Sequence, residues 1–90
     1  MQTQESVRVY TFHEDPGHGW LEVPMEDLRE LGVVGKITSC SYRKGDTAYL
    51  EEDLDCSTFA KAAKAAGWTI KPQWVHEDPT PIRGYRMFYR

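Results

Sequence analysis

Residues 41–55 have the sequence SYRKGDTAYLEEDLD, and the rest of the chain can be placed around this stretch. Ser39, Ser41 and Arg43 alternate with Cys40 and Tyr42, which is typical of a β-strand. Residues 44–46, Lys-Gly-Asp, predict a turn, because glycine takes a positive φ without steric cost. Residues 47–50 return as a second strand, so the stretch predicts a β-hairpin.

Two strands and a short helix are predicted ahead of the hairpin. Residues 6–12 are rich in β-formers, and Pro16 with two nearby glycines predicts a turn in residues 13–19. Residues 20–23 form a second short strand, antiparallel to the first. A short helix then begins at Pro24 and stops at Gly32.

The strongest helix signal follows the hairpin. Asp55 and Ser57 are both suitable N-caps, and the alanine-rich run continues to Ala66 before Gly67 ends it. Four residues form the apolar face of this helix: Phe59, Ala62, Ala63 and Ala66. The helix is therefore predicted to pack closely on a sheet, with Phe59 in its core.

The C-terminal third predicts further strands. Residues 68–71 and 73–76 are rich in β-formers but are separated by Pro72, which confines this segment to a sheet edge or a bulge. Residues 84–89 alternate and predict a last strand. The order β-β-α-β-β-α-β predicts one α+β domain over residues 1–90, with two helices on one face of an antiparallel or mixed sheet of four to six strands. Residues 1–5 are expected to be a frayed terminus.

Composition sets limits on the class of protein. The 90 residues are 40% hydrophobic and 28% charged, which is ordinary for a folded domain. No apolar run reaches the roughly 18 residues of a membrane span, and the first residues do not resemble a secretory signal, so a cytoplasmic location is predicted. Cys40 and Cys56 do not have the spacing of a zinc site or a disulfide framework, and both are predicted to be buried thiols.

Charge is distributed unevenly along the chain. Residues 1–55 hold twelve acids and five bases, whereas residues 56–90 hold two acids and six bases. The whole chain has a formal net charge of −3, and no basic stripe runs along it. Direct binding of nucleic acid is therefore not expected.

The histidines offer one candidate site. His13, His18 and His76 have acidic neighbours and are ligand types that transition metals prefer, but their spacing is not that of a helical metal-binding pair. The motif His-Glu-Asp-Pro occurs at residues 13–16 and again at 76–79, where it predicts turns after strands. A small metal-dependent enzyme or metal-binding protein using these three histidines is the alternative function.

The acidic corner after the hairpin is the other candidate. It comprises Glu51, Glu52, Asp53 and Asp55. Such acids can serve acid–base chemistry, stabilise a helix N-terminus, form salt bridges with Arg83 or Arg86, or bind a basic partner. Helix capping accounts for Asp55 and Asp53, whereas Glu51 and Glu52 are predicted to be largely exposed. No phosphate-binding loop or nucleophile motif is present, so no catalytic residue and no cofactor is predicted.

Three blocks of sequence carry a resemblance. Residues 11–24 (TFHEDPGHGWLEVP), residues 41–55 and residues 80–83 (TPIR) together resemble a group of small uncharacterised proteins encoded by phages, plasmids and conjugative elements. The resemblance covers roughly residues 7–84 and implies a mobile-element accessory protein.

The acidic corner and the resemblance together favour one hypothesis. We expect a non-enzymatic, protein-binding accessory factor that inhibits a host defence complex, by analogy with anti-CRISPR and antirestriction inhibitors. Its partner would be a host protein or ribonucleoprotein complex, bound through Glu51, Glu52, Asp53 and Asp55.

Overall fold

A computed structural model describes residues 6–78 and 80–88. Its centre is a six-stranded mixed sheet with the strand order β5-β1-β2-β4-β3-β6. The strands are β1 (Ser6–Glu14), β2 (Gly19–Pro24), β3 (Tyr42–Lys44), β4 (Thr47–Glu51), β5 (Trp68–His76) and β6 (Arg86–Met87). The helices are α1 (Met25–Glu30) and α2 (Asp55–Ala65), with 3₁₀ turns at Val34–Lys36 and Pro81–Gly84. The α+β prediction is confirmed, and the predicted frayed terminus lies outside the described residues.

The predicted hairpin is formed by β3 and β4. Tyr42 pairs with Tyr49 and Lys44 with Thr47 in antiparallel register. Gly45 has a φ of +59°, the left-handed value that the turn requires. β4 also pairs with β2, so the hairpin is joined to the first two strands and its Leu50 lies opposite Leu21.

Alternation along the strands separates two apolar clusters. Leu21 and Leu50 belong to the main core, whereas their neighbours Trp20 and Tyr49 belong to a smaller cluster with Ile82. Because successive side chains point to opposite faces, the two clusters lie on opposite sides of the sheet. The main core contains Met25 and Leu28 from α1 together with Phe59 and Ala63 from α2, so both helices cover the same face.

Phe59 is the centre of the contact between α2 and the sheet. Its side chain is fully buried, and its ring meets that of Tyr10 edge-on at a centroid distance of 5.4 Å. The Trp68 ring also lies nearby, at a centroid distance of 6.5 Å. The predicted burial of Phe59 against the sheet is therefore confirmed, but not beneath Tyr42 and Tyr49, which belong to the cluster on the opposite face. The small Ala63, also fully buried, allows α2 to approach the sheet closely.

The extents of β1 and β5 differ from the prediction. β1 continues through His13 and Glu14, because β2 on one side and β5 on the other pair with these residues. β5 is continuous across Pro72 and runs parallel to β1 at the edge of the sheet. The edge position was predicted correctly, but the interruption was not.

Pro72 does not interrupt β5 because its backbone nitrogen points away from β1. The amide of Glu77 donates to the carbonyl of Glu14 at 2.9 Å, so odd-numbered residues face β1 and even-numbered residues face the open edge. Pro72 thus lacks an amide only on the side where, within residues 6–78 and 80–88, β5 has no neighbouring strand.

The C-terminal segment crosses the face of the sheet opposite the two helices, which is called the second face below. The predicted last strand is reduced to two residues, Arg86 and Met87, because the 3₁₀ turn Pro81–Gly84 occupies the preceding residues. Ile82 in this turn is 1% exposed and packs with Trp20 and Tyr49. The segment is thereby placed beside the acidic corner.

Candidate protein-binding cleft

A cleft of about 440 Å³ opens on the second face, between the end of the hairpin and the C-terminal segment. Its walls combine aromatic, acidic and basic side chains. They are His18, Trp20, Cys40, Tyr42, Glu51, Asp53 and Arg83.

Trp20 forms the floor of the cleft. β2 holds it in place, and the side chain is 3% exposed. The Tyr42 ring lies 6.0 Å from it and the His18 ring 5.8 Å from it, both measured between centroids. Among the described residues, the Trp20 Nε1 atom has no hydrogen-bond partner. The floor is therefore built from packed aromatic rings.

Arg83 and Asp15 close one side of the cleft. Arg83 Nε donates to Asp15 Oδ2 at 2.6 Å and Nη2 donates to Oδ1 at 2.8 Å. The amides of Gly17 and His18 also donate to Asp15 Oδ1, both at 3.0 Å. The hydrogen bonds from Arg83, assisted by these two amides, hold the pKa of Asp15 well below its usual range. The charge of Arg83 is thus neutralised inside the protein.

The loop that carries Asp15 and His18 depends on one close approach. A Cβ atom at Gly19 would lie 2.4 Å from the Phe12 ring, so only glycine fits there without a shift. The Glu52 amide donates to the Gly19 carbonyl at 3.1 Å, which joins this loop to the acidic corner.

The acidic corner divides into structural and free carboxylates. Glu51 is half-buried, and its two oxygens accept the amides of Asp53 and Leu54 at 2.9 and 3.0 Å. Glu52 and Asp53 are exposed. The exposure predicted for Glu52 is therefore confirmed. That predicted for Glu51 is wrong, because Glu51 supplies the hydrogen bonds at the turn before α2.

Asp55 does not belong to the surface. It is fully buried and is the first residue of α2 rather than its cap, which is Leu54. Its carboxylate accepts the Thr38 amide at 3.1 Å, the Thr38 hydroxyl at 2.8 Å and the Ser41 hydroxyl at 2.5 Å. The assignment of Asp55 to a partner-binding surface is wrong, since these bonds fix the loop before the hairpin to α2.

The remaining acids have no internal counter-charge. Within residues 6–78 and 80–88, none of Glu51, Glu52 and Asp53 forms an ion pair. Arg83, one of the two arginines proposed to neutralise them, is bound to Asp15 instead. Glu52 and Asp53, here called the acidic rim, therefore present their carboxylates to solvent, and Asp53 is the one that lines the cleft.

The three histidines are held in different places. His13 Nε2 lies 2.7 Å from Glu22 Oε1, and its Nδ1 lies 3.6 Å from Glu77 Oε1. His76 lies 3.9 Å from Glu14, whose side chain alternates with that of His13 and so points to the opposite face. Among the described residues, no group of three His, Cys, Asp or Glu side chains is arranged to hold a metal ion.

His13 also borders a buried tyrosine. The rings of His13 and Tyr49 are 5.9 Å apart, and that of Tyr85 lies 5.0 Å from Tyr49. Burial, followed by the nearby Glu22 charge and Tyr85, raises the pKa of Tyr49 to about 12. The Tyr49 hydroxyl therefore stays protonated at neutral pH and is a poor general base.

Both cysteines are free thiols. Cys56 is half-buried, and burial, with Glu52 and Glu51 nearby, raises the pKa of its thiol. Cys40 is exposed in the turn before β3 and borders the cleft, so its predicted burial is wrong. The strand begins at Tyr42, three residues later than the alternation from Ser39 indicated, which leaves Cys40 in solvent.

Trp20, Tyr42 and Arg83 were not recognised as neighbours from the sequence. A weak signal was present, because the His-Glu-Asp-Pro motif and the TPIR block contain the two partners Asp15 and Arg83. Their separation of 68 residues hides the pair from any local pattern.

Comparisons with known proteins give no further identification. No protein-family model, curated protein or solved structure matches the chain. Across the part of the chain that the structure describes, no helix is long and apolar enough to cross a membrane.

Proposed function

We propose that this chain is a non-enzymatic protein-binding factor that takes a basic segment of its partner at the acidic rim of the cleft. The observation that carries the proposal is the position of Glu52 and Asp53. Both carboxylates are exposed and have no ion pair among the described residues, and Asp53 lines a cleft with an aromatic floor.

The chemistry of the cleft favours an arginine or lysine side chain. The carboxylates of Glu51 and Asp53 attract the cation, and the half-buried Tyr42 ring offers an aromatic surface to its stem and charge. Arg83 already lies over Trp20, with its guanidinium carbon 5.4 Å from the ring centroid. A partner cation would add to this arrangement from the open side.

The class of partner follows from charge complementarity. An acidic rim fits basic protein surfaces, including those that bind the phosphates of nucleic acids. The partner in this proposal is a host protein or ribonucleoprotein complex within the host cytoplasm. The mobile-element origin and the inhibition of a defence complex, of the anti-CRISPR or antirestriction type, are parts of the proposal that rest on the resemblance of the sequence blocks.

The test compares two charge reversals of equal size. Glu52→Lys with Asp53→Lys changes the acidic rim, whereas Glu26→Lys with Asp46→Lys changes exposed acids on α1 and at the hairpin turn. Each pair is measured by quantitative capture of host proteins and by relief of CRISPR interference or restriction in cells. We expect the rim variant to lose at least about tenfold in affinity for its partner, the equivalent of 1.4 kcal/mol.

The control variant should keep its partner and its activity in cells. Equal loss in both variants would show that net charge, not the rim, determines binding and would overturn the proposal. Stoichiometric metal in protein purified without a histidine tag would instead favour the alternative function through His13, His18 and His76.

A further inference from the structure

The structure assigns a second binding site, for a phosphate monoester, to the opposite end of the hairpin from the acidic rim. It is formed by Arg43 of β3 and Arg86 of β6, which line a depression of about 330 Å³ with Gly45 and Met87. The site is independent of the proposed function, because none of its residues borders the cleft.

The decisive observation is that two like charges lie directly opposite each other. Arg43 and Arg86 are register partners in the antiparallel pairing of β3 with β6. Like charges in this position repel each other and destabilise the strand pair. Among the described residues, no carboxylate forms an ion pair with either guanidinium. An anion between them would remove this repulsion.

Arg43 is oriented before any ligand arrives. Its side chain is half-buried, and its Nε donates to the Gly45 carbonyl at 2.9 Å. That bond fixes the plane of the guanidinium over the hairpin turn and leaves the terminal nitrogens for another acceptor. Arg86 is exposed and supplies the second group from across the depression. The fork of each guanidinium matches a pair of oxyanion oxygens.

A phosphate monoester fits this arrangement better than a single carboxylate or a nucleic acid. It carries a charge of about −1.5 to −2 at neutral pH, which matches two arginines. A nucleic acid needs cations spaced along its backbone, whereas this chain has a net charge of −3 and presents an acidic rim at the other end of the hairpin.

The site can be tested by NMR titration with inorganic phosphate and O-phosphoserine, against chloride at equal ionic strength. We expect saturable shifts at Gly45, Met87 and the two guanidinium Nε–H groups, with a Kd of about 1 mM. Arg43→Gln and Arg86→Gln should each weaken binding at least about tenfold, and Arg43→Lys should restore only part of it. Without phosphate, Arg86→Gln should keep or raise the melting temperature, because the repulsion is gone.

Arg29→Gln is the matched control, since Arg29 is an exposed arginine on α1. It should leave the Kd unchanged. Tighter binding of phosphoserine assigns the site to a phosphorylated metabolite or side chain, and tighter binding of inorganic phosphate assigns it to the free ion. Equal responses to phosphate and chloride, or an equal loss in Arg29→Gln, would overturn the site. A DNA oligonucleotide bound at least about tenfold more tightly than phosphate would also overturn it.

Discussion

At the scale of single residues, Asp53 and Asp55 show how two neighbouring acids acquire opposite roles. Asp53 is exposed, whereas Asp55 is fully buried and accepts hydrogen bonds from Thr38 and Ser41. Asp55→Ala would leave these buried donors without an acceptor and should lower the free energy of unfolding by about 3 kcal/mol or more. Asp53→Ala should change it by less than about 0.5 kcal/mol. Urea denaturation of both variants measures the difference.

A small loss in Asp55→Ala would mean that water replaces the carboxylate. The sequence could not separate these two acids, because the donors to Asp55 lie 17 and 14 residues upstream. Glu51 was misjudged for the opposite reason, since its bonds to the amides of Asp53 and Leu54 depend on the geometry of the turn before α2. Residue type and spacing indicated an acidic corner but not which of its members are structural.

At the scale of secondary-structure elements, Phe59 determines how α2 is held on the sheet. Its ring is fully buried between Tyr10 and Trp68, so Phe59→Ala should lower the free energy of unfolding by roughly 3–5 kcal/mol. Leu54→Ala is the control, because Leu54 is 48% exposed just before the helix. Thermal or urea unfolding measures both. A loss below about 1 kcal/mol for Phe59→Ala would show that α2 is not held by this contact.

The edge strand β5 provides a second prediction at this scale. Its even-numbered amides face an open edge, and Pro72 interrupts that row of donors between Ile70 and Trp74. Proline at an edge discourages pairing with another chain. Pro72→Thr should therefore increase self-association, measured by sedimentation at several concentrations.

Gln73→Thr is the matched control for that experiment. The Gln73 amide faces β1, so this change adds a β-forming residue without adding a donor at the edge. If both threonine variants associate equally, strand propensity rather than the missing amide is responsible. From Pro72 alone the sequence confined β5 to an edge or a bulge, but its parallel pairing with β1 joins residues more than sixty positions apart and has no local signal.

At the scale of the whole molecule, charge in space does not follow charge along the chain. The acidic segment 1–55 and the basic segment 56–90 are joined by the ion pair of Asp15 with Arg83. Arg43, from the acidic segment, lies opposite Arg86 from the basic segment. The hairpin thus carries acids where it meets α2 and bases near its turn. The sequence showed that charge is distributed unevenly along the chain. Only the topology of the sheet shows which of these charges become neighbours.

The last prediction concerns the pair that fastens the C-terminal segment across the second face. Arg83 and the loop amides hold the pKa of Asp15 below its usual value of 3.8. A depressed folded-state pKa stabilises the protein above the unfolded-state pKa, and that stabilisation is lost as the pH falls through the folded-state value. The melting temperature of the wild-type protein should therefore fall more steeply below about pH 5 than that of Asp15→Asn, which has no carboxylate to protonate there.

Two further variants complete this test. Arg83→Gln should also reduce the fall in melting temperature at low pH. The double variant should add little to this effect, because both changes remove the same ion pair. Asp46→Asn removes an exposed acid without an ion pair among the described residues and should leave the slope as in the wild type.

Hydrogen exchange at the Tyr85 amide, which donates to the Ile82 carbonyl at 2.9 Å, reports on the C-terminal segment itself. A lower protection factor at low pH in the wild type, with a similarly low protection factor at neutral pH in Arg83→Gln, is the expected result. Unchanged protection factors in both would mean that Ile82 packing alone holds the segment on the sheet.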